Sequence, residues 1–504
     1  MSKSADHLFH SRSSDEMADD HKEIRAWVLR ISLVAIVLLV AGCNVGPDYK
    51  RPVVNNPQSY RGALAPDIAA TPGRTNAAPA VSLADQQWST IFKDPVLQRL
   101  VEEALKNNLD LRIAAQRILE AQAQVGITRS QQLPSVNAGG SYSALQLPSG
   151  LAFANTSGAP TSSFISGGGF SASGAWNLDF WGLYRRQTEA ARADLLSTEW
   201  AQKATRSALV EGVAEAYFQL RSLDAQLEVT NRTIQARKDS LKLVSELEKY
   251  GAGSLEDTRQ AEELLHSAQA VLPQIRQQIA VEENTISILL GHNPDAVDRG
   301  LPVDQQPHPE EVPAGVPSQL LERRPDIQVA EAKLIAANAR IGVAKAQFFP
   351  NISLSSLGGS ASNQLQSVFS GKNAYWYAAA SLSEPIFDGG RIRSNYHLSQ
   401  AEEQEMLLEY QKTILNALRD VSNSLVAYKE TREHREEKAA QVTAAADAVR
   451  LARMRYSGGN TSYLEVLTTD TDLYDAQLNL ALAQEQEAAS LVQLYAALGG
   501  GWQQ

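Results

Sequence analysis

The sequence predicts a mainly α-helical protein with a small β part, written as a tandem structural repeat. Three observations carry this reading. Two thirty-residue stretches match at a fixed offset, each is followed by a Ser/Gly/aromatic segment with strand alternation, and each of those by a very long helical run.

Composition sets the limits. The 504 residues hold 46 basic and 57 acidic side chains, a net charge of −11 scattered along the chain. That balance argues against a nucleic-acid binder, which needs a basic face. One cysteine permits no internal disulfide, and a chain of this length can fold on its core alone. Ala, Gln, Leu and Glu dominate long segments, a composition that favours extended helices.

Taken in order, the first element is Ile31 to Gly42, an apolar run of 12 residues behind Lys22, Arg25 and Arg30. It is short for a bilayer span and suits a signal peptide. Val40-Ala41-Gly42 before Cys43 resembles the lipobox of bacterial lipoproteins. Residues 1–42 are thus expected to be removed, and the Cys43 thiol to carry a covalent lipid as a thioether to diacylglycerol. The alternative is a buried structural cysteine after an uncleaved helix. Asp15, Glu16, Asp19 and Asp20 are unusual in an export leader and leave Met1 and Met17 both open as the start. The remaining chain stays acidic, with 41 basic against 51 acidic residues. Residues 43–90 read as an extended arm.

The repeat fills the rest. "NNLDLRIAAQRILEAQAQVGITRSQQLPSV" from Asn107 and "RRPDIQVAEAKLIAANARIGVAKAQFFPNI" from Arg323 share Asp110/Asp326, Ala114/Ala330, Ala121/Ala337, Ala123/Ala339, Gly126/Gly342, Gln131/Gln347 and Pro134/Pro350. Further on the offset falls from 216 to 208, with Gly182/Gly390, Gly251/Gly459 and Gly291/Gly499. Repeat one is placed at 91–291 and repeat two at 318–500. The joining segment 292–317 holds six prolines in 26 residues and reads as a linker, and 501–504 is a short tail.

Within each copy a helical segment (about Pro95 to Leu133, or Ser318 to Phe349) ends just before a proline, as helices tend to do. A β-hairpin is expected next, at about 135–180 and 351–387, from alternation such as Ile352-Ser353-Leu354-Ser355. Long helices follow, Leu183 to Lys249 and Arg391 to Tyr456, each about 100 Å at 1.5 Å per residue. In the first, Leu220, Leu223, Leu227, Thr230, Ile234, Arg237, Leu241 and Val244 form a heptad seam with two polar members. The second keeps the register only partly, through Val442, Ala445, Val449 and Ala452. Glycine-bearing turns, "KYGAGSLED" and "RYSGGNTSYLE", lead into shorter helices that run to Leu290 and Leu498.

Four strands cannot close a membrane barrel, and no unpaired strand edge survives in hydrocarbon. A barrel would have to be shared, with eight strands in a dimer or twelve in a trimer. Tyr375, Trp376 and Tyr377 would suit an interfacial aromatic girdle.

These residues resemble the outer membrane efflux channels of the TolC superfamily, in particular the lipoprotein branch serving resistance-nodulation-division (RND) pumps. The marks are "GCNVGPDYKRP"; Trp88, Phe92, Asp94-Pro95 and Leu97; "NNLDL" at Asn107; "LDFWG" at Leu178; and "GVPSQLLERRPDIQVAEAKL" from Gly315. The resemblance implies a homotrimer with a shared twelve-stranded transmembrane β-barrel, four strands per protomer, and a barrel of 12 long α-helices reaching into the periplasm. It implies a passive exit duct in the outer membrane of a Gram-negative bacterium, with a periplasmic adaptor and an inner-membrane RND pump as partners. Asn44 after the lipidated cysteine fits that destination.

By the same resemblance the turn "RYSGGNTSYLEVLTTDTD" is the periplasmic gate. Tyr456, Leu464, Glu465, Thr468 and Asp470 are its candidates, with Leu464 as the constriction and Glu465 or Asp470 as an acidic ring. Where relatives often place Asp four residues after the Leu, this chain has Thr468. Gly251, Gly253, Ser254, Gly458 and Gly459 are the candidate adaptor-contact turns. Three rival readings fit the sequence less well. The eight His are isolated and no HExxH, GxSxG or P-loop pattern occurs, so no catalytic residue, metal site or cofactor beyond the lipid is expected. A periplasmic adaptor would have one helical hairpin, and a type I secretion duct shares the architecture.

Overall fold

The computed structural model describes residues 44–54, 57, 59–61, 82–147, 163–306, 309, 312, 313, 315 and 317–502. The expected signal peptide, Cys43, much of the arm and the connection of the first hairpin lie outside them. Helices Trp88–Ile91 (α1), Pro95–Asn107 (α2) and Leu109–Ser130 (α3) lead into strands Ser135–Leu147 (β1) and Ser163–Leu178 (β2). Helices Leu183–Lys249 (α4) and Leu255–Leu290 (α5) complete the first copy. Pro317–Arg323 (α6), Pro325–Ala346 (α7), Asn351–Ser362 (β3), Ala374–Ser383 (β4), Arg391–Ser457 (α8) and Tyr463–Ala497 (α9) form the second.

The chain divides into two compact units. The first holds the sheet, four antiparallel strands in the order β1-β2-β3-β4. Each hairpin pairs within itself, and β2 pairs with β3 from Gly168↔Ser362 to Leu178↔Ile352, which joins the two copies. Among the described residues β1 and β4 remain open edges. Where β2 gives way to α4, the Asp179 carboxylate accepts the Tyr184 and Arg185 backbone N–H groups at 3.2 and 2.8 Å and caps the new helix. The Trp181 indole donates to the Pro350 carbonyl at 2.9 Å and stacks on Phe349.

The expected single helix over Pro95 to Leu133 is two helices. Asn108 leaves the helical region, and its side chain accepts from the Leu111 N–H at 3.0 Å while donating to the Leu289 carbonyl at 2.9 Å. An Asn that can cap competes with its own place in a helix, and here the cap wins. The second copy breaks at Arg324 for a different reason. Pro325 at the start of α7 pushes the residue before it out of the helix. The Arg324 guanidinium then reaches the Ala497 carbonyl at 3.1 Å.

The heptad seam of α4 is buried along Leu220, Leu223, Thr230, Ile234, Arg237 and Val244. On α8 Val449 and Ala452 of the partial register are buried, and a further buried seam lies earlier, at Tyr410, Ile414, Ala417, Val421, Leu425 and Tyr428. Asp94 anchors the second unit from a fully buried position. It caps α2 through the Val96 N–H at 2.8 Å and also accepts from Tyr217 Oη at 2.8 Å, the Leu301 N–H at 2.8 Å and Gln306 Nε2 at 3.0 Å. One carboxylate thus ties α2, α4 and the linker together.

Candidate functional site

The turns after α4 and α8 are built alike. Gly251 sits at φ +74° with the Ala252 N–H on the Leu247 carbonyl and its own N–H on Glu248. Gly459 sits at φ +68° with the Asn460 N–H on Arg455 and its own N–H on Tyr456. Both are Schellman caps, which need a left-handed residue and so favour glycine. Ser254 caps α5 through the Asp257 N–H at 3.1 Å. Gly251, Ser254, Gly458 and Gly459 are exposed and Gly253 half-buried. Gly251, Gly459 and Ser254 therefore shape the turns by backbone geometry and capping, while their surroundings stay open to solvent.

The gate candidates separate into three kinds. Tyr456 is half-buried and meets the Tyr463 ring at 5.2 Å, against a core cluster with Val244, Ala452 and Val466. Leu464 is 58% exposed, and Thr468, one turn on, is exposed with its hydroxyl donating to the Leu464 carbonyl at 2.9 Å. Glu465 and Asp470 are both paired within the protomer. Arg455 holds Glu465 at 2.8 Å, and the Thr461 hydroxyl donates to it as well. Arg237 from α4 and Arg453 from α8 hold Asp470 at 3.0 and 3.2 Å. The exposed stripe of α9 that carries Leu464 and Thr468 continues through Asp472 and Asp475, and among the described residues neither of these forms an ion pair.

The two polar members of the α4 seam find partners on α9. The Thr230 hydroxyl meets Tyr474 Oη at 3.0 Å, and Arg237 pairs with Asp470 while its Nη1 donates to the Leu264 carbonyl at 2.8 Å. Sequence spacing marked Thr230 and Arg237 as exceptions in a seam. Their partners lie more than two hundred residues away, so no local signal could pair them.

The first described residues form a clasp in the sheet-containing unit. The Val45 N–H donates to the Trp181 carbonyl at 3.2 Å, and Asn338 Nδ2 donates to the Pro47 carbonyl at 3.0 Å. Arg186, whose side chain is 2% exposed, pairs with Asp48 at 2.8 Å and Glu189 at 2.9 Å. Gly46 crosses Gly342 so closely that a Cβ on Gly46 would lie 2.5 Å from the Gly342 Cα. "GPDYKRP", "LDFWG" and the repeat glycine at 342 are therefore parts of one contact, and it begins directly after the expected lipid site.

The sheet has two unlike faces. Residues directly opposed in an antiparallel pair share a face. Gly140↔Phe170↔Ser360↔Ala374 thus fixes one face, which also carries Val136, Tyr142, Trp176, Ile352, Leu354, Trp376 and Leu382. The other carries Asn137, Ser141, Ser143, Ser171, Ser173, Asn177, Ser353, Ser355 and Ser381, with Leu145 and Leu357 among them. Tyr375 and Tyr377 lie on this polar face, so of the expected aromatic girdle only Trp376, 83% exposed, belongs to the apolar one. Period-2 alternation divides any three consecutive strand residues between two faces.

An exposed apolar sheet face is a surface for lipid or protein. No helix among the described residues is long and apolar enough to cross a membrane. The class so defined is a protein that can meet a bilayer through strands and that also carries helices of 67 residues.

The chain belongs to the outer membrane efflux protein family, whose profile matches residues 100–292 and 316–500. It is 35% identical over 473 residues to the probable efflux pump outer membrane protein TtgC of Pseudomonas putida, covering 94% of this chain and 95% of that one. The cation efflux system protein CusC of Escherichia coli K12 is 32% identical over 466 residues, 92% of this chain and 98% of its own. Among solved structures, the open-state outer membrane channel MtrE of Neisseria gonorrhoeae superimposes with a TM-score of 0.79 at 28% identity, covering 92% of this chain and 99% of that one.

Proposed function

We propose that this chain is the outer membrane duct of a tripartite RND-type efflux system, which passes substrates from a pump and its adaptor out of the cell without chemistry of its own. The observation that carries this is the sheet: four strands with one apolar face, one Ser/Asn face and two open edges. Open edges cannot persist in hydrocarbon, so copies of the sheet must close on one another. Three copies give twelve strands, wide enough for a water-lined pore, which supports a homotrimer. The adaptor is assigned to the turns at Gly251–Ser254 and Gly458–Gly459. A type I secretion duct is the second reading. The lipobox and "GPDYKRP" favour the pump-associated one.

Cys43 is proposed to carry the lipid, and no other cofactor is called for. Labelled palmitate should enter the protein in its native host and be lost in Cys43→Ala. Incorporation that survives the substitution would remove Cys43 as the anchor.

Leu464 is proposed to constrict the resting pore. The acidic lining is reassigned to Asp472 and Asp475, because they share its exposed stripe and have no ion-pair partner among the described residues. Purified protein in planar bilayers should form pores that are closed most of the time. Leu464→Ala should raise resting conductance several-fold, and Asp472→Asn should weaken the preference for potassium over chloride. An absence of any pores would overturn the duct. Pores that Leu464→Ala leaves as tight as before would overturn the constriction alone.

A further inference from the structure

The hairpins are almost free of charge. No charged residue occurs between Arg129 and Asp179, and only Lys372 occurs between Lys345 and Glu384. A lone ammonium in so neutral a region is a placement to explain. Lys372 lies in the β3–β4 connection, at the end of the sheet away from the helices, and is exposed. Among the described residues it forms no ion pair.

That connection folds back over the apolar face. Ser360, on that face, donates through its hydroxyl to the Val368 carbonyl, and Val368 is buried. Phe369 stacks on Phe170 with ring centroids 5.3 Å apart and still leaves 82% of its surface exposed. Between connection and sheet lies a groove of roughly 800 Å³. Its floor on the apolar face is made of small residues, Ala138, Gly140, Ala172 and Gly358, and its walls include Phe170 and Phe369. Lys372 sits between two further lining residues, Gly371 and Ala374.

We propose that this groove holds an acyl chain of an anionic, phosphate-bearing lipid of the outer leaflet, with the phosphate on Lys372. The occupant follows from two features. The groove continues the sheet face that meets hydrocarbon, and its lining is mostly small and aromatic, with Ser171, Ser360, Ser370 and Tyr375 as its polar side chains. The exposed cation next to the lining residue Gly371 complements the charge of a headgroup phosphate. The chemistry is that of a lipid phosphate monoester or diester, and a soluble phosphate lacks the chain. The inference rests on the apolar face being lipid-facing.

The test uses the full-length channel, purified, delipidated and placed in vesicles of dioleoyl phosphatidylcholine with or without dioleoyl phosphatidylglycerol. Flotation and conductance report insertion. Native mass spectrometry of the extracted protein reports retained lipid. Wild type should retain phosphatidylglycerol over phosphatidylcholine by about fivefold, the effect of one lysine at a membrane surface. Lys372→Gln should lose that preference while inserting normally, Ala138→Phe should lose retention of both lipids, and glycerol phosphate should not compete. Equal retention by wild type and Lys372→Gln, no retained lipid at all, or displacement by glycerol phosphate would overturn the proposal. Failure of wild type to insert in either vesicle would instead overturn the reading of the sheet face.

Discussion

Asp94→Ala is expected to abolish accumulation of the folded channel. The carboxylate is fully buried and accepts from Tyr217, Gln306, the Leu301 N–H and the first turn of α2. Removing it leaves the Tyr217 hydroxyl and the Leu301 N–H without an acceptor, while Gln306 Nε2 keeps the Leu301 carbonyl, and an unsatisfied buried donor costs about 1–3 kcal/mol. Loss of the helix cap adds about 1 kcal/mol. The total is about 3–7 kcal/mol, above what an ordinary substitution does. Asp94→Asn is milder, because one oxygen still caps α2 while the new NH2 faces donors. Its cost should be about 2 kcal/mol.

The charge also gives the effect a pH signature. Burial pushes the Asp94 carboxyl up, but hydrogen bonds from Gln306, Tyr217, Val96 and Leu301 outweigh it and hold the group below the ordinary carboxylate range. Its contribution is therefore complete above the unfolded value near 4 and is lost as pH falls through the lower folded one. Melting of wild type and Asp94→Asn should differ most at neutral pH and converge under acid. A wild-type melting curve for Asp94→Ala would refute the anchoring role.

What the sequence made legible was periodic or repeated. Leu183–Lys249 and the glycines at 182/390, 251/459 and 291/499 could be read because helix period and turn stereochemistry leave a local imprint. The break at Asn108 escaped because an Asn inside a helical pattern gives no sign of whether it will cap. The pairing of β2 with β3 escaped because nothing local specifies a partner from another copy. Repetition also concealed a difference. Gly126 and Gly342 match in sequence, yet only Gly342 is covered, by the Val45–Gly46 backbone and the Arg186 side chain, while a Cβ at Gly126 would meet nothing within 4 Å. The arm occurs once and can fill only one of two equivalent places. Around the turn after α8, sequence marked the candidate carboxylates but could not tell a free one from a paired one, since Arg237 reaches Asp470 across the fold.

Asp470→Asn is expected to loosen the resting channel as a tether, by a route separate from the Leu464 constriction. Asp470 joins α9 to α4 through Arg237 and to α8 through Arg453, and Arg237 also holds the Leu264 carbonyl of α5. The Arg237 and Asp470 side chains are only 5% and 14% exposed. Breaking a buried pair by removing one partner costs about 3–5 kcal/mol, since the other charge stays behind. Arg453 is half-exposed, so Arg453→Gln should cost about 1 kcal/mol or less and serves as the control. Arg237 Nη2 is also buried without a hydrogen-bond partner, so the tether is incompletely satisfied and its release loses less than a perfect pair would. That suits a contact that must hold at rest and give way on opening. Bilayer recordings should show a resting conductance several-fold above wild type for Asp470→Asn and near wild type for Arg453→Gln, with faster amide exchange over 237–241 and 464–470. Wild-type conductance together with wild-type exchange in Asp470→Asn would reduce this ion pair to ordinary helix packing.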